Sequence, residues 1–211
     1  MSAFAQRVNG ALRRFPIWPG YILGFVPAVW TFWLGLNNRL GPEPIKVLER
    51  ELGEIGLQLL IVSLLISPLM QLTRINLCRF RRMIGLMAFW YICLHFATWI
   101  FLDMGMMWDQ IAKDLTKRPY IIVGFAAFLL LVPVAITSND LSVRRLTTVA
   151  WRGVHKLVFP ASLLAAAHYI WLVKAWPPEP IIYGAVVLAL CLWRPIYRRY
   201  KGRQKTKPHM A

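Results

Sequence analysis

Acidic residues are scarce in this sequence: nine Asp and Glu stand against 25 Lys and Arg, for a formal net charge of +16. Cysteine is scarcer, with three positions, Cys78, Cys93 and Cys191, and no CxxC pair among them. Cys93 and Cys191 fall in apolar stretches and Cys78 in a basic one. That pattern excludes a disulfide framework and a cysteine zinc site. Neither a GxGxxG fingerprint nor a P-loop occurs, so any nicotinamide chemistry must come from a partner. No connecting segment reaches the size of a catalytic domain. Short alternating strands are missing too, which excludes a β-barrel. No small-residue cleavage site follows the first apolar run, which starts at Trp18, so no cleavable signal peptide is expected.

What the chain has is apolar length. Hydrophobic residues make up 58% and charged ones only 16%, the latter in clusters. A lipid span needs about 20 residues of helix, and backbone polar groups in lipid must bond within their own segment. Six runs meet that need, at 18–36, 53–72, 83–102, 120–137, 153–173 and 181–197. They predict an all-α integral membrane bundle of six transmembrane helices. Pro27, Pro68, Pro133 and Pro160 fall inside spans as tolerated kinks. Residues 1–17 form an N-terminal segment, 18–199 the membrane domain and 200–211 a basic tail that carries His209 as an exposed residue.

Charge orients the bundle. The termini and the segments after the second and fourth spans hold 18 basic residues and one acid, Asp140. The opposite side holds 7 basic and 8 acidic residues. Basic loops mark the cytoplasm, so both termini are expected there. The positive charge therefore reads as topology and contact with anionic headgroups. Nucleic acid is excluded as a partner, because the aromatic residues lie inside apolar spans and not between basic ones.

Ionisable side chains within hydrocarbon are costly and mark function. His95 lies eight residues before Asp103 on an outward-running span, roughly 12 Å below its outer end at about 1.5 Å per residue. His168 lies six residues before Lys174 on another, roughly 9 Å below the same end. Facing histidines on bundle helices are one way to hold b-type haem through axial imidazole nitrogens. Ala97, Ala165, Ala166 and Ala167 flank the pair and would make room. The residues alone leave a second reading open: two buried histidines bonded to neighbouring backbone or hydroxyl groups. Trp90, Tyr91, Trp99, Tyr169 and Trp171 read as packing or interface belt. His155 stands thirteen residues before His168, toward the cytoplasmic end. It is either a ligand with an unidentified partner or a polar helix end. At the same level the third span carries Arg81 and Arg82, which stay protonated and suit a propionate or a flavin phosphate.

Three stretches then stand out together: RRMIGLMAFWYICLHFATWIFLD at 81–103, KRPYIIVGFAAFLLLVPVAITSND at 117–140 and WRGVHKLVFPASLLAAAHYIWLVK at 151–174. They resemble the MsrQ family, haem-binding membrane subunits of the bacterial periplasmic methionine-sulfoxide reductase system. That family sits in the ferric-reductase-like transmembrane group, which includes NADPH oxidases. The resemblance covers roughly residues 15 to 200. It implies a multi-pass protein of the bacterial inner membrane with haem b and flavin mononucleotide (FMN) as cofactors. The family's haem histidines match His95, His155 and His168, and Arg82 is carried as a further cofactor contact. Electrons would come from a cytoplasmic flavin reductase or quinone. They would pass to a periplasmic molybdopterin-containing methionine-sulfoxide reductase subunit, where substrate reduction occurs. Two other readings remain at this stage. One is a stand-alone ferric reductase or b561-like cytochrome. The other is a cofactor-free permease or assembly factor, against which stand the matched depths of two histidines and the lack of an internal repeat.

Overall fold

The computed structural model describes residues 3–173, 175 and 177–205. His209 and the end of the basic tail lie outside the described residues, as does Lys174. Among the described residues the regular structure is entirely helical. Ten α-helices follow in chain order: α1 (Ala3–Arg14), α2 (Trp18–Leu36), α3 (Pro44–Thr73), α4 (Cys78–Ala97), α5 (Trp108–Lys117), α6 (Pro119–Ile136), α7 (Asp140–Arg145), α8 (Thr148–His155), α9 (Val158–Leu172) and α10 (Pro178–Lys205). A π-helical segment, Thr98–Asp103, continues α4.

Local chemistry sets most of these boundaries. Proline opens α2, α3 and α6 at their first turns, where its missing N–H costs no helical bond. Arg74 closes α3 in the left-handed conformation, at φ +61°. Asn139 and Thr147 cap the short α7 and α8 by accepting from Ser142 N and Ala150 N.

Among the described residues five helices are long and apolar enough to cross a membrane: Trp18–Leu36, Pro44–Thr73, Cys78–Asp103, Pro119–Ile136 and Pro178–Lys201. The protein is thus a multi-pass membrane protein. The second span is longer than the hydropathy predicts, because α3 starts at Pro44 and carries Glu49, Arg50 and Glu54 within its first turns. The fifth expected span, 153–173, is not one helix. It divides into α8 and α9, with the break at Lys156–Leu157. Pro160 explains the position: its ring has no N–H and crowds the carbonyl four residues earlier, that of Lys156.

The bundle is tied internally by small and buried groups. Leu60 and Leu64 of α3 pack on Ala88 of α4, Leu131 of α6, and Val158 and Ala161 of α9. Tyr91 of α4, fully buried, inserts its hydroxyl into α2. It donates to Gly24 O at 2.6 Å and accepts from Ala28 N at 3.1 Å. Those two groups are four residues apart and would bond each other in an unbroken helix; Pro27 between them loosens that turn. On the outside, Leu23, Val29 and Trp30 of α2 are exposed, as a lipid-facing surface requires. A depression of about 690 Å³ along this face, lined by Tyr21, Phe25 and Trp33 among others, is apolar and has no charged side chain.

Candidate functional site: a histidine pair in a membrane cavity

Between α3, α4, α6 and α9 lies a cavity of about 510 Å³, within the range of small-molecule and cofactor sites. His95 of α4 and His168 of α9 both line it. Their ring centroids are 6.5 Å apart, with the planes at 72°. Residue counting expects the two at one depth, and the structure brings their rings together.

Each ring is held the same way. His95 Nδ1 lies 2.8 Å from Glu49 O of α3, and His168 Nδ1 lies 2.7 Å from Tyr120 O of α6. A carbonyl oxygen only accepts, so each Nδ1 carries the hydrogen and each Nε2 keeps its lone pair. This fixes the tautomer that a metal-binding imidazole needs. The second reading of the pair, histidines bonded to backbone, holds for one nitrogen of each ring only.

The separation fits a shared metal. Two imidazole–metal bonds of about 2.0–2.1 Å, plus about 1 Å from nitrogen to centroid on each side, put the ring centres about 6 Å apart. The walls combine apolar and charged groups, among the latter Glu49, Glu54 and Asp103. Leu57, Leu60, Ile92, Phe128 and Leu131 supply apolar surface, and Lys46, Arg50 and Arg118 supply cationic groups within the same lining.

The other expected site residues lie elsewhere. His155 ends α8, and its ring packs on Trp151 at 3.9 Å. Its Nδ1 approaches Trp151 O at 3.1 Å and its Nε2 approaches Ser138 Oγ at 3.3 Å. The Ser138 hydroxyl donates to Val134 O at 2.7 Å, so the contact with His155 is the weaker one. Arg82 pairs with Asp140 at 2.5 Å and donates from Nε to Ser138 O at 2.7 Å. His155 and Arg82 thus meet at the turn after α6, while neither lines the cavity of the histidine pair.

Sequence reasoning looked to alanines for space, and Ala165 does line the cavity. The residues it missed are Gly53 and Gly124, against which the two rings rest, and Glu49 and Tyr120, whose carbonyls hold them. The available signal was a glycine within an apolar span, which permits close approach of a neighbour.

The family model described as "Ferric reductase like transmembrane component" matches residues 52–166, a stretch that contains His95 but not His168. The chain is also 46% identical over 181 residues to proteins named "Protein-methionine-sulfoxide reductase heme-binding subunit MsrQ" from Brucella ovis, Brucella canis and Brucella suis, covering 86% of this chain and 82% of each relative. The chain belongs to the MsrQ family. Within that family frame, the ferric-reductase-like match spans α3 through α9, the helices that build the cavity, and ends just before His168.

Proposed function

We propose that this chain is a haem b-binding electron-transfer subunit, with His95 and His168 as the residues that would hold the iron. The observation that carries the reading is the pair itself: two imidazoles on separate helices, 6.5 Å apart, each with Nδ1 committed to a backbone carbonyl. Haem iron, when bound, takes up and releases single electrons. The protein's part is to fix the two rings, exclude water with the apolar walls, and offer Lys46, Arg50 and Arg118 to the propionates.

The reading extends to topology. A continuous pair, α8 and α9, completes six crossings, since α9 alone has 15 residues, about 22 Å of helix against a hydrocarbon core of about 30 Å. Both termini then face the cytoplasm of a bacterial inner membrane, and the histidine pair lies in the periplasmic half. Electrons leave from that half toward a methionine-sulfoxide reductase, a partner supported by the names of the relatives; its periplasmic place and its molybdopterin have the family resemblance as their support. They enter from a cytoplasmic flavin reductase or from quinone. FMN, for which no residues are assigned, has the family resemblance as its support; fluorescence of flavin released from denatured protein tests it. His155 is carried as a further haem-ligand candidate by the same resemblance, and Arg82 as a contact for a propionate or a flavin phosphate by its charge.

The decisive experiment is a reduced-minus-oxidised spectrum of purified protein. Wild type is expected to show a Soret band that shifts on reduction, and His95→Ala or His168→Ala to lose most bound haem. Full haem retention in both variants would end the assignment. The ferric-reductase-like match supports one second reading, a stand-alone ferric reductase. Co-purification of a periplasmic molybdoprotein separates the two.

A further inference from the structure

The two histidine anchors are built to one pattern. Glu49 and Gly53 stand four residues apart on α3, and Tyr120 and Gly124 stand four apart on α6. In each case a histidine of a neighbouring helix reaches the carbonyl of the first residue and rests on the glycine. A Cβ at Gly53 would lie 2.9 Å from His95 Nδ1 and 3.2 Å from its Cε1. A Cβ at Gly124 would lie 2.8 Å from His168 Nδ1 and 3.0 Å from its Cε1. The geometry has a simple cause. In a helix the Cβ tilts toward the N-terminus and covers the preceding turn. A side chain at position i+4 therefore shields the carbonyl of residue i from a lateral donor. Glycine at i+4 leaves that carbonyl open, and it can accept a second hydrogen bond besides its helical one.

We infer that Gly53 and Gly124 are positioning residues: each missing Cβ exposes the carbonyl four residues earlier to Nδ1–H of a histidine on the neighbouring helix, and so orients that ring with Nε2 free for iron. The inference rests on the haem reading above. It goes beyond packing, because an imidazole is rigid and is pinned by its hydrogen bond. It cannot move aside by the few tenths of an ångström that a flexible chain would give. The hydrogen bond also makes the imidazole a more basic ligand, which favours ferric iron.

The test compares Gly53→Ala and Gly124→Ala with Gly56→Ala. Gly56 lies on the same face of α3, and a Cβ there would meet Ile92 Cγ1 at 2.9 Å. It has the same steric burden without a histidine. Each of the first two variants is expected to lower apparent haem affinity about 10–100-fold, the range for loss of an outer hydrogen bond to a ligand. In the haem that remains, the ferric low-spin electron paramagnetic resonance signal is expected to shift and the midpoint potential to rise. Gly56→Ala is expected to keep the wild-type signal and potential. Unchanged haem content, signal and potential in both Gly53→Ala and Gly124→Ala would overturn the inference, as would the same spectral shift in Gly56→Ala. Should the first two variants fail to fold, electron–nuclear double resonance of the wild-type ferric protein decides. Two exchangeable imidazole protons, both slow to take deuterium, support the inference; fast exchange at either overturns it. His95→Ala and His168→Ala run beside these. If they keep full haem, the haem reading itself fails; if they lose it while the glycine variants match wild type, only the positioning role fails.

Discussion

At the scale of single residues, the polar groups inside this bundle fall into two kinds. His95 and His168 each use one nitrogen for structure and keep one in reserve. Tyr91 uses its hydroxyl fully, as donor to Gly24 O and acceptor from Ala28 N. Tyr91→Phe is therefore expected to destabilise the protein by about 1–2 kcal/mol, because both backbone groups lose a buried partner. Thermal unfolding in detergent reads this as a lower midpoint with haem content per folded molecule unchanged; an unaltered midpoint would show that α2 closes its own bond. His155 gives a contrasting case. Its contacts are with Trp151 and Ser138, away from the cavity, so His155→Ala is expected to leave the low-spin signal of the His95–His168 pair intact. Loss of that signal in the variant would place His155 in the same centre. The Arg82–Asp140 bridge is solvent-exposed, and Asp140→Ala is expected to cost under about 1 kcal/mol in the same unfolding measurement.

At the scale of elements, proline and glycine decide where helices stop and where they touch. Hydropathy shows the apolar stretch of residues 153–173 but not its division, since periodicity does not register a missing N–H. The break at Lys156–Leu157 ends α8 at His155 and starts α9 at Val158, with three-residue turns in place of four-residue ones between them. Pro160→Ala is expected to let the two helices join. The amide that the variant gains at residue 160 is then expected to bond to Lys156 O and to be protected from hydrogen exchange; fast exchange there would mean that another contact holds the break. The early start of α3 was hidden for a different reason. Residues 44–52 contain Lys46, Glu49, Arg50 and Glu51, too polar for a span, yet Leu48 and Leu52 are buried against α2 and α4. Amphipathic burial on a neighbour makes that turn, not lipid.

At the scale of the whole molecule, charge asymmetry and apolar length set the class of protein. Cys78 offers a direct check of orientation, because it is exposed beside Arg79, Arg81 and Arg82. A membrane-impermeant maleimide is expected to label it in inverted vesicles and to spare it in intact spheroplasts; the reverse pattern would invert the topology. The sequence by itself determined that the chain is a helical membrane protein, that its positive face is distinct from its mixed face, and that two histidines share a depth. These follow from composition and from rise per residue, which act along the chain. Only the tertiary structure decided which way the imidazoles turn. That depends on two carbonyls and two glycines contributed by other helices, Glu49 with Gly53 and Tyr120 with Gly124. A helix-borne histidine can hold either tautomer until a neighbouring backbone, 46 or 48 residues away in sequence, selects one.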